Sequence, residues 1–226
     1  MGRSVIVTGG FGVLGQAVAE AFVAAGDAVA RIDFAPAAHS PLDGALDIGG
    51  IDLTDADATQ AAVAKVSETH GGIDVLVNVA GGFTWEPLEG GSIATFSRMH
   101  AMNLLTTATI TQLALPALKQ SSAGRIISVG AGGAVKAAMG MGAYAASKSG
   151  VHRLTEALAE ELAGSTVTAN AVLPSIIDTP TNRADMPDAD TSTWVSPQAV
   201  AKVIVLLASA DAGAISGALI PVSRGG

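Results

Sequence analysis

The chain has 226 residues, 49% of them hydrophobic, 14% charged and 4% aromatic, with 27 glycines and no cysteine. That length and apolar content suit one domain over residues 1–226 with a full core, and they exclude a disordered chain. A net charge of −8 argues against generic binding to nucleic acid or anionic membrane, and zero cysteines exclude a disulfide scaffold, a thiolate metal site and cysteine catalysis, which fits a cytoplasmic setting.

The first residues run straight into a strand-like segment, so no targeting segment is expected. Val5-Ile6-Val7 is a β-branched run that stops at Thr8-Gly9-Gly10. A helical pattern follows from Val13 to Ala25 and ends at Gly26. Ala28 to Ile32 is a second strand, closed by Asp33. This is the βαβ unit of a parallel sheet. A turn-rich stretch leads to a short third strand at Gly50-Ile51-Asp52, and a helix runs from about Asp55 to Thr69.

The alternation continues. Val75 to Asn78 is a strand, followed by Ala80-Gly81-Gly82 and a loop holding Phe83, Trp85 and Pro87. Helical segments fill Ile93 to Leu118. They include an uncharged stretch, Met99 to Pro116, whose His100, Asn103 and Gln112 mark it as buried helix, not a membrane span. Arg125 to Val129 is a strand, Tyr144 to Ala163 a helix, and Thr166 to Val172 a strand. The polar loop Pro174 to Ser196 is long enough to be functional. Pro197 to Ser209 is the last helix and Ala218 to Val222 the last strand. Seven strands alternating with six helical regions predict a Rossmann-type, doubly wound α/β fold with a seven-stranded parallel sheet.

Gly10-Phe11-Gly12-Val13-Leu14-Gly15 is a G-x-G-x-x-G between a strand and a helix. Such glycines turn the chain tightly and let a pyrophosphate approach bare backbone, and the helix N-terminus offers amides and partial positive charge. Gly9, Phe11, Gly12, Val13 and Leu14 are the candidate phosphate-side residues. Asp33 ends the second strand, where a carboxylate accepts from both adenosine ribose hydroxyls and repels a 2′-phosphate. Arg31 is poorly placed to welcome one, so the expected cofactor is NAD over NADP. Asp52 and Leu53 follow the third strand. Asp52 either accepts from the adenine amino group, with Leu53 over the ring, or merely begins a turn.

Tyr144-Ala145-Ala146-Ser147-Lys148 contains the only tyrosine. Residues four apart share a helix face, and an ammonium beside a phenol lowers its pKa. The pair makes a proton donor or acceptor for a carbonyl or alcohol oxygen.

Thr8-Gly9 with its glycines, Asp33, Asp52, Asn78-Val79-Ala80-Gly81, Asn103, Tyr144-x-x-x-Lys148 and the Pro174 to Thr179 segment follow the order of the short-chain dehydrogenase/reductase family. The sequence resembles that family over essentially its whole length. The resemblance implies a nicotinamide-dependent oxidoreductase, usually a homodimer or homotetramer. It implies that Tyr144 is the acid/base, that Lys148 lowers its pKa and binds the nicotinamide ribose, and that Asn103 holds a relay water. Asn78, Ala80 and Gly81 would brace the sheet and pass near the adenosine. Ile177 and Thr179, after Pro174, would meet the nicotinamide carboxamide.

The sequence departs from the family in four places. The serine usual thirteen residues before the tyrosine is Ala131. The glycines at 9, 12 and 15 are spaced differently, Val79 replaces an asparagine, and Ser175 replaces the glycine after Pro174. The quinonoid dihydropteridine reductases also have alanine at the serine position, and Gly130 to Lys148 resembles that branch. Substrate residues are expected on the loops: Trp85, Ala131, Met139 and, in the Pro174–Ser196 segment, Trp194. Asp185, Asp188 and Asp190 are spaced like metal ligands but read as solvated, and no metal is expected. His39, His70, His100 and His152 read as surface or loop residues. The reading from a different class is a dinucleotide-binding sensor that keeps the fold with little turnover.

Overall fold

A computed structural model describes residues 2–223. The strands are β1 (Ser4–Thr8), β2 (Ala28–Ile32), β3 (Ala45–Ile48), β4 (Val75–Asn78), β5 (Arg125–Val129), β6 (Thr168–Pro174) and β7 (Leu219–Val222). They form one seven-stranded sheet in the order β3-β2-β1-β4-β5-β6-β7. Every pairing is parallel. The order reverses between β1 and β4, which opens a crevice at the carboxyl ends of those strands.

The helices are α1 (Val13–Ala24), α2 (Ala56–His70), α3 (Ile93–His100), α4 (Thr106–Leu118), α5 (Gly142–Glu161), α6 (Pro180–Asp185) and α7 (Pro197–Ala208). The sheet is buried on both faces, which is why its strands are apolar runs and not alternating ones. Ala17, Phe22, Val200 and Ile204 from α1 and α7 pack on one face. Ala62, Val66, Ile110, Leu118 and Leu158 from α2, α4 and α5 pack on the other. Local signals set the helix ends. Asp55 caps α2 through the amides of Asp57 and Ala58, and Gly71 closes it in the left-handed region. Ser196 caps α7, with Pro197 at its first position.

Two expectations need correction. The third strand lies at Ala45–Ile48, not at residues 50–52. It sits at the sheet edge and is only half covered. Its Asp47 takes a two-pronged ion pair from Arg31 at 2.7 Å, so the strand lacks the apolar run that marks the others. The segment after β6 is not wholly loop. Thr179 caps the short helix α6, accepting from the amide of Asn182 at 3.1 Å.

The glycine turn is constrained from within. Gly9 has φ +61°, and a Cβ there would meet Ala80 at 2.9 Å. A Cβ on Gly15 would lie 2.0 Å from the carbonyl oxygen of Gly9, whereas one on Gly12 would meet only that oxygen, at 3.5 Å. Gly15 therefore lets α1 close on the turn, and Gly12 faces open space. Gly15→Ala is expected to cost about 2–3 kcal/mol through overpacking, lowering Tm by roughly 5–10 °C. Gly12→Ala is expected to leave Tm within about 1–2 °C of the wild type. Thermal melts of the two variants check both.

Candidate active site

The site lies where the loops after β1, β4 and β5 meet the first turns of α5. Thr8 ties the first two together. Its hydroxyl accepts from the amides of Val79 and Ala80 at 3.0 and 3.1 Å. Asn78 braces the sheet beneath: its amide donates to Thr111 at 3.0 Å and Ser128 at 3.2 Å, linking β4 to α4 and β5.

Asn103 comes from a widened turn, Ala101–Leu105, between α3 and α4, where the Thr106 amide bonds back to the carbonyl of Ala101. The carbonyls of Met102 and Asn103 are taken by the hydroxyls of Thr106 and Thr107 at 2.7 and 2.9 Å. Such turns gather at functional sites. This one buries Asn103 completely. Its Oδ1 accepts from the Gly82 amide at 2.9 Å, and its Nδ2 donates to the Gly82 carbonyl and the Ser147 hydroxyl. Ser147 in turn donates to the carbonyl of Tyr144 at 2.7 Å. Asn103 thus clamps the loop after β4 to the first turn of α5.

Lys148 is buried, and its ammonium donates to the carbonyl of Val129 at the end of β5, 2.7 Å away. A Cβ on Gly81 would sit 3.3 Å from Lys148 Nζ and 2.5 Å from Asn103 Oδ1, so a bare α-carbon is required there. Tyr144 is half-buried, with the ring of Phe83 edge-on at 4.9 Å. The pKa values run opposite to expectation for the phenol. Burial pushes Tyr144 up to about 12 and Lys148 down to about 8. The lowering expected from Lys148 does not arise, and burial alone sets the shift; the ammonium is itself buried and bonded to a main-chain oxygen.

At the other end of the crevice, Asp33 holds the glycine turn. Its carboxylate accepts from the amides of Phe11 and Ala35, both at 2.9 Å. Arg31 is fully buried, paired with Asp47, bonded to Gln16 and stacked 5.3 Å from the centre of the Phe11 ring. Val13 and Leu14 open α1, whose first turn has neither a side-chain cap nor an acidic residue. Asp52 is exposed, and its carboxylate accepts from both the amide and hydroxyl of Thr54, which hold its pKa below the usual range. Leu53 belongs to the core. Of the two readings of Asp52, the structure displays the turn.

Pro174 ends β6. Ile177 bridges to Val195, and Thr179 spends its hydroxyl on the α6 cap. Met139 and Trp85 are exposed, and Ala131 is buried at the end of β5. Trp194, expected to meet substrate, is only 5% exposed and offers little surface to a ligand. His152, expected at the surface, is buried. Its Nε2 accepts from the Ala131 amide at 3.2 Å, and its ring packs against Gly130. Burial, with help from Arg153 and Lys148 and against Glu156, holds its pKa down. The signal was present in the sequence: His152 is one turn beyond Lys148, on the face that carries Tyr144. Ser147 was missed for the same reason, as a small residue inside a motif read for its ends.

The short chain dehydrogenase family profile matches residues 3–190. The 3-oxoacyl-[acyl-carrier-protein] reductase MabA of Mycobacterium tuberculosis is 35% identical over 99% of this chain and 92% of its own length. The chain belongs to the short-chain dehydrogenase/reductase family. The 2-(R)-hydroxypropyl-CoM dehydrogenase of Xanthobacter autotrophicus is 31% identical over 97% of this chain and 96% of its own. Among solved structures, ligand-free aldohexose dehydrogenase of Thermoplasma acidophilum has a TM-score of 0.88 at 28% identity, covering 98% of this chain and 92% of its own. The 3-ketoacyl-(acyl-carrier-protein) reductase of Brucella melitensis, complexed with NADH, has a TM-score of 0.87 at 25% identity, covering 98% and 96%. The protein is an oxidoreductase dependent on a nicotinamide dinucleotide. Among the described residues no helix is long and apolar enough to cross a membrane, and no cluster of side chains could hold a metal ion.

The buried lysine makes stability depend on pH. Its folded pKa of about 8 lies below the free value of 10.5, so between these the unfolded chain carries the extra proton and stability rises with pH. Urea unfolding of wild type and Lys148→Met is expected to show the wild type gaining about 3 kcal/mol on the variant from pH 8 to 10.5. A constant difference across that window refutes the shift. Tyr144, with its raised pKa, acts in the opposite sense only above pH 10, where stability is lost toward pH 12.

Proposed function

We propose that the protein reduces a small carbonyl or conjugated-ring compound with NADH, using Tyr144 as the proton donor. The observation that carries this reading is a half-buried Tyr144 one helical turn before a buried Lys148, beside a crevice of bare backbone. A phenol with a pKa near 12 is fully protonated at neutral pH, which suits donation to a developing alkoxide.

The residues present fit a dinucleotide. The space above Gly12 and the uncapped first turn of α1, at Val13 and Leu14, suit a pyrophosphate. Gly9 and Phe11 form the turn beneath it. Asp33 has acceptor capacity left for ribose hydroxyls, and Arg31 is committed to Asp47, which favours NAD over NADP. Ala80 and Gly81 line the crevice behind the adenosine, and Asn78 acts beneath them through the sheet. At the adenine end Asp52 is exposed but turned to Thr54, and Leu53 supports the crevice from within the core. Pro174, Ile177 and Thr179 flank the nicotinamide end, and Lys148 is placed to bind its ribose.

The cofactor, when bound, supplies the hydride. Tyr144 gives its proton to the substrate oxygen. Lys148, close to its pKa at physiological pH, holds the ribose and favours the phenolate that remains. Asn103 keeps the loop after β4 and the first turn of α5 in register and lies on the return path for the proton.

Ala131 leaves Tyr144 without a second hydroxyl donor. A substrate whose carbonyl or imine is already conjugated needs that donor least, which supports a quinonoid or dicarbonyl compound over a simple ketone. With wild type, Tyr144→Phe is expected to lower kcat by about 10²-fold or more while NADH fluorescence still shows binding. Ala131→Ser is expected to raise kcat toward simple ketones by about 10²-fold and to leave conjugated substrates nearly unchanged. Equal NADH turnover by wild type and Tyr144→Phe would favour the sensor reading.

We further propose that the protein works in the cytoplasm as a homodimer or homotetramer. A groove of about 490 Å3 between α3 and α5 is lined by Phe96, Leu105, Ala143 and Ala146, and Ile93 and Met102 lie exposed near it. An isologous contact along these helices would cover it. Light scattering is expected to give a dimer or tetramer for the wild type and a smaller species for Phe96→Asp.

A further inference from the structure

The two substrate-side loops are joined by one side chain. Trp85, from the loop after β4, donates its indole N–H to the carbonyl of Met139 at 3.0 Å. Beside it, the Glu86 amide donates to the carbonyl of Gly140 at 2.8 Å. The indole lies against the bare α-carbon of Gly140: a Cβ there would be 2.3 Å from the ring, and Gly140 has φ +75°. Two residues earlier, Phe83 packs on Tyr144. Trp85 is nonetheless 53% exposed. An aromatic held by its N–H and by its seat on Gly140 that still shows half its surface is a wall, not core.

The loops that carry the wall are apolar where exposed, and the segments after β4 and β6 are acidic. Phe83, Val135 and Met139 are exposed on the same two loops. The loops after β4 and β6 carry Glu86, Glu89, Asp185, Asp188 and Asp190. Asp178 and Arg183 cancel in an ion pair. Against those five carboxylates stand Lys136, the Lys148 ammonium and Arg98, which acts on Glu86 and is bonded to Thr84 at 3.3 Å. That balance repels anions.

We infer that Trp85 is the specificity-determining residue of the site, and that it restricts reduction to compact, uncharged carbonyl compounds. This rests on the reductase reading above. The wall ties the loops at a fixed separation beside Tyr144, so a chain extending past the reacting carbonyl meets a held indole. Carboxylate or phosphate-bearing substrates meet like charge. The reaction is the ordinary two-electron one: NADH gives a hydride to the carbonyl carbon, Tyr144 gives a proton to its oxygen, and solvent reprotonates the phenol.

The test is a length series of neutral diketones, 2,3-butanedione, 3,4-hexanedione and 4,5-octanedione, with 2-oxobutanoate as the anion, each with NADH. Wild-type kcat/KM is expected to fall about tenfold or more from the shortest to the longest diketone, and to be about tenfold lower for the anion than for butanedione. Trp85→Ala removes the wall, and Gly140→Ala pushes the indole off its seat. Both are expected to flatten the length dependence, while Trp85→Phe retains most of it. An unchanged profile in both Trp85→Ala and Gly140→Ala overturns the inference, as does a wild type that prefers octanedione or the anion. Tyr144→Phe separates the two levels. Tyr144-dependent turnover with an unaltered profile sinks the wall alone. No Tyr144-dependent turnover of any member sinks the reductase reading and the wall with it.

Discussion

The hydrogen bond from Lys148 to the carbonyl of Val129 is the interaction on which the site depends. It joins the helix that carries the phenol to the end of β5. It also fixes a cation where burial opposes charge, which is why its pKa falls to about 8. A lysine in that position is tolerated only with a polar partner, and the strand end supplies one. One turn further along α5, His152 makes the matching contact to the amide of Ala131. The helix therefore grips both sides of Gly130: one side chain takes a carbonyl before it and the other takes an amide after it. The register of Tyr144 over the crevice follows from that two-point grip.

The other side of the crevice is held by hydrogen bonds of the same kind, from side chains to main chain. Thr8 holds the amides of Val79 and Ala80, Asp33 those of Phe11 and Ala35, and Asn103 that of Gly82. Each fixes a loop that would otherwise leave buried polar groups without partners. Bare glycine then becomes necessary wherever two such loops meet. Gly9 faces Ala80, Gly15 faces Gly9, and Gly81 faces Asn103 and Lys148. A crevice lined this way can be narrow and still present mostly main chain, which is what a long polar ligand with many acceptor oxygens requires.

Much of this was legible in the sequence because both sheet faces are covered. Apolar runs bounded by glycine located β1, β2, β4 and β5 within a residue or two, and the alternation with helices left one topology class. The edge strand escaped because Asp47, which pairs with Arg31 of β2, separates Leu46 from Ile48 and breaks the apolar run, and Ile51 drew the reading instead. The short helix after Thr179 was hidden by the polar residues around it, although Thr179-Pro180 is a start signal in its own right. The widened turn at Asn103 has no sequence mark beyond the two threonines that satisfy its carbonyls. The opposite pKa shifts of Tyr144 and Lys148 were out of reach, since spacing reports proximity but not desolvation.

Ala131 links these levels. In a site where the family usually places a hydroxyl, this chain has a methyl group, and the amide behind it is tied to His152. Neither group leaves a donor aimed at a substrate oxygen. In the proposed reaction the phenol is the remaining acid, protonated at neutral pH but weak because burial raises its pKa. A weak acid is sufficient when the substrate stabilises its own developing charge, as a conjugated acceptor does, and insufficient when a lone ketone must be polarised first. On the reading proposed above, the missing hydroxyl, the raised phenol and the apolar wall at Trp85 place the same demand on the substrate. The substrate we propose is accordingly small, uncharged and already electron-poor at the atom that receives hydride.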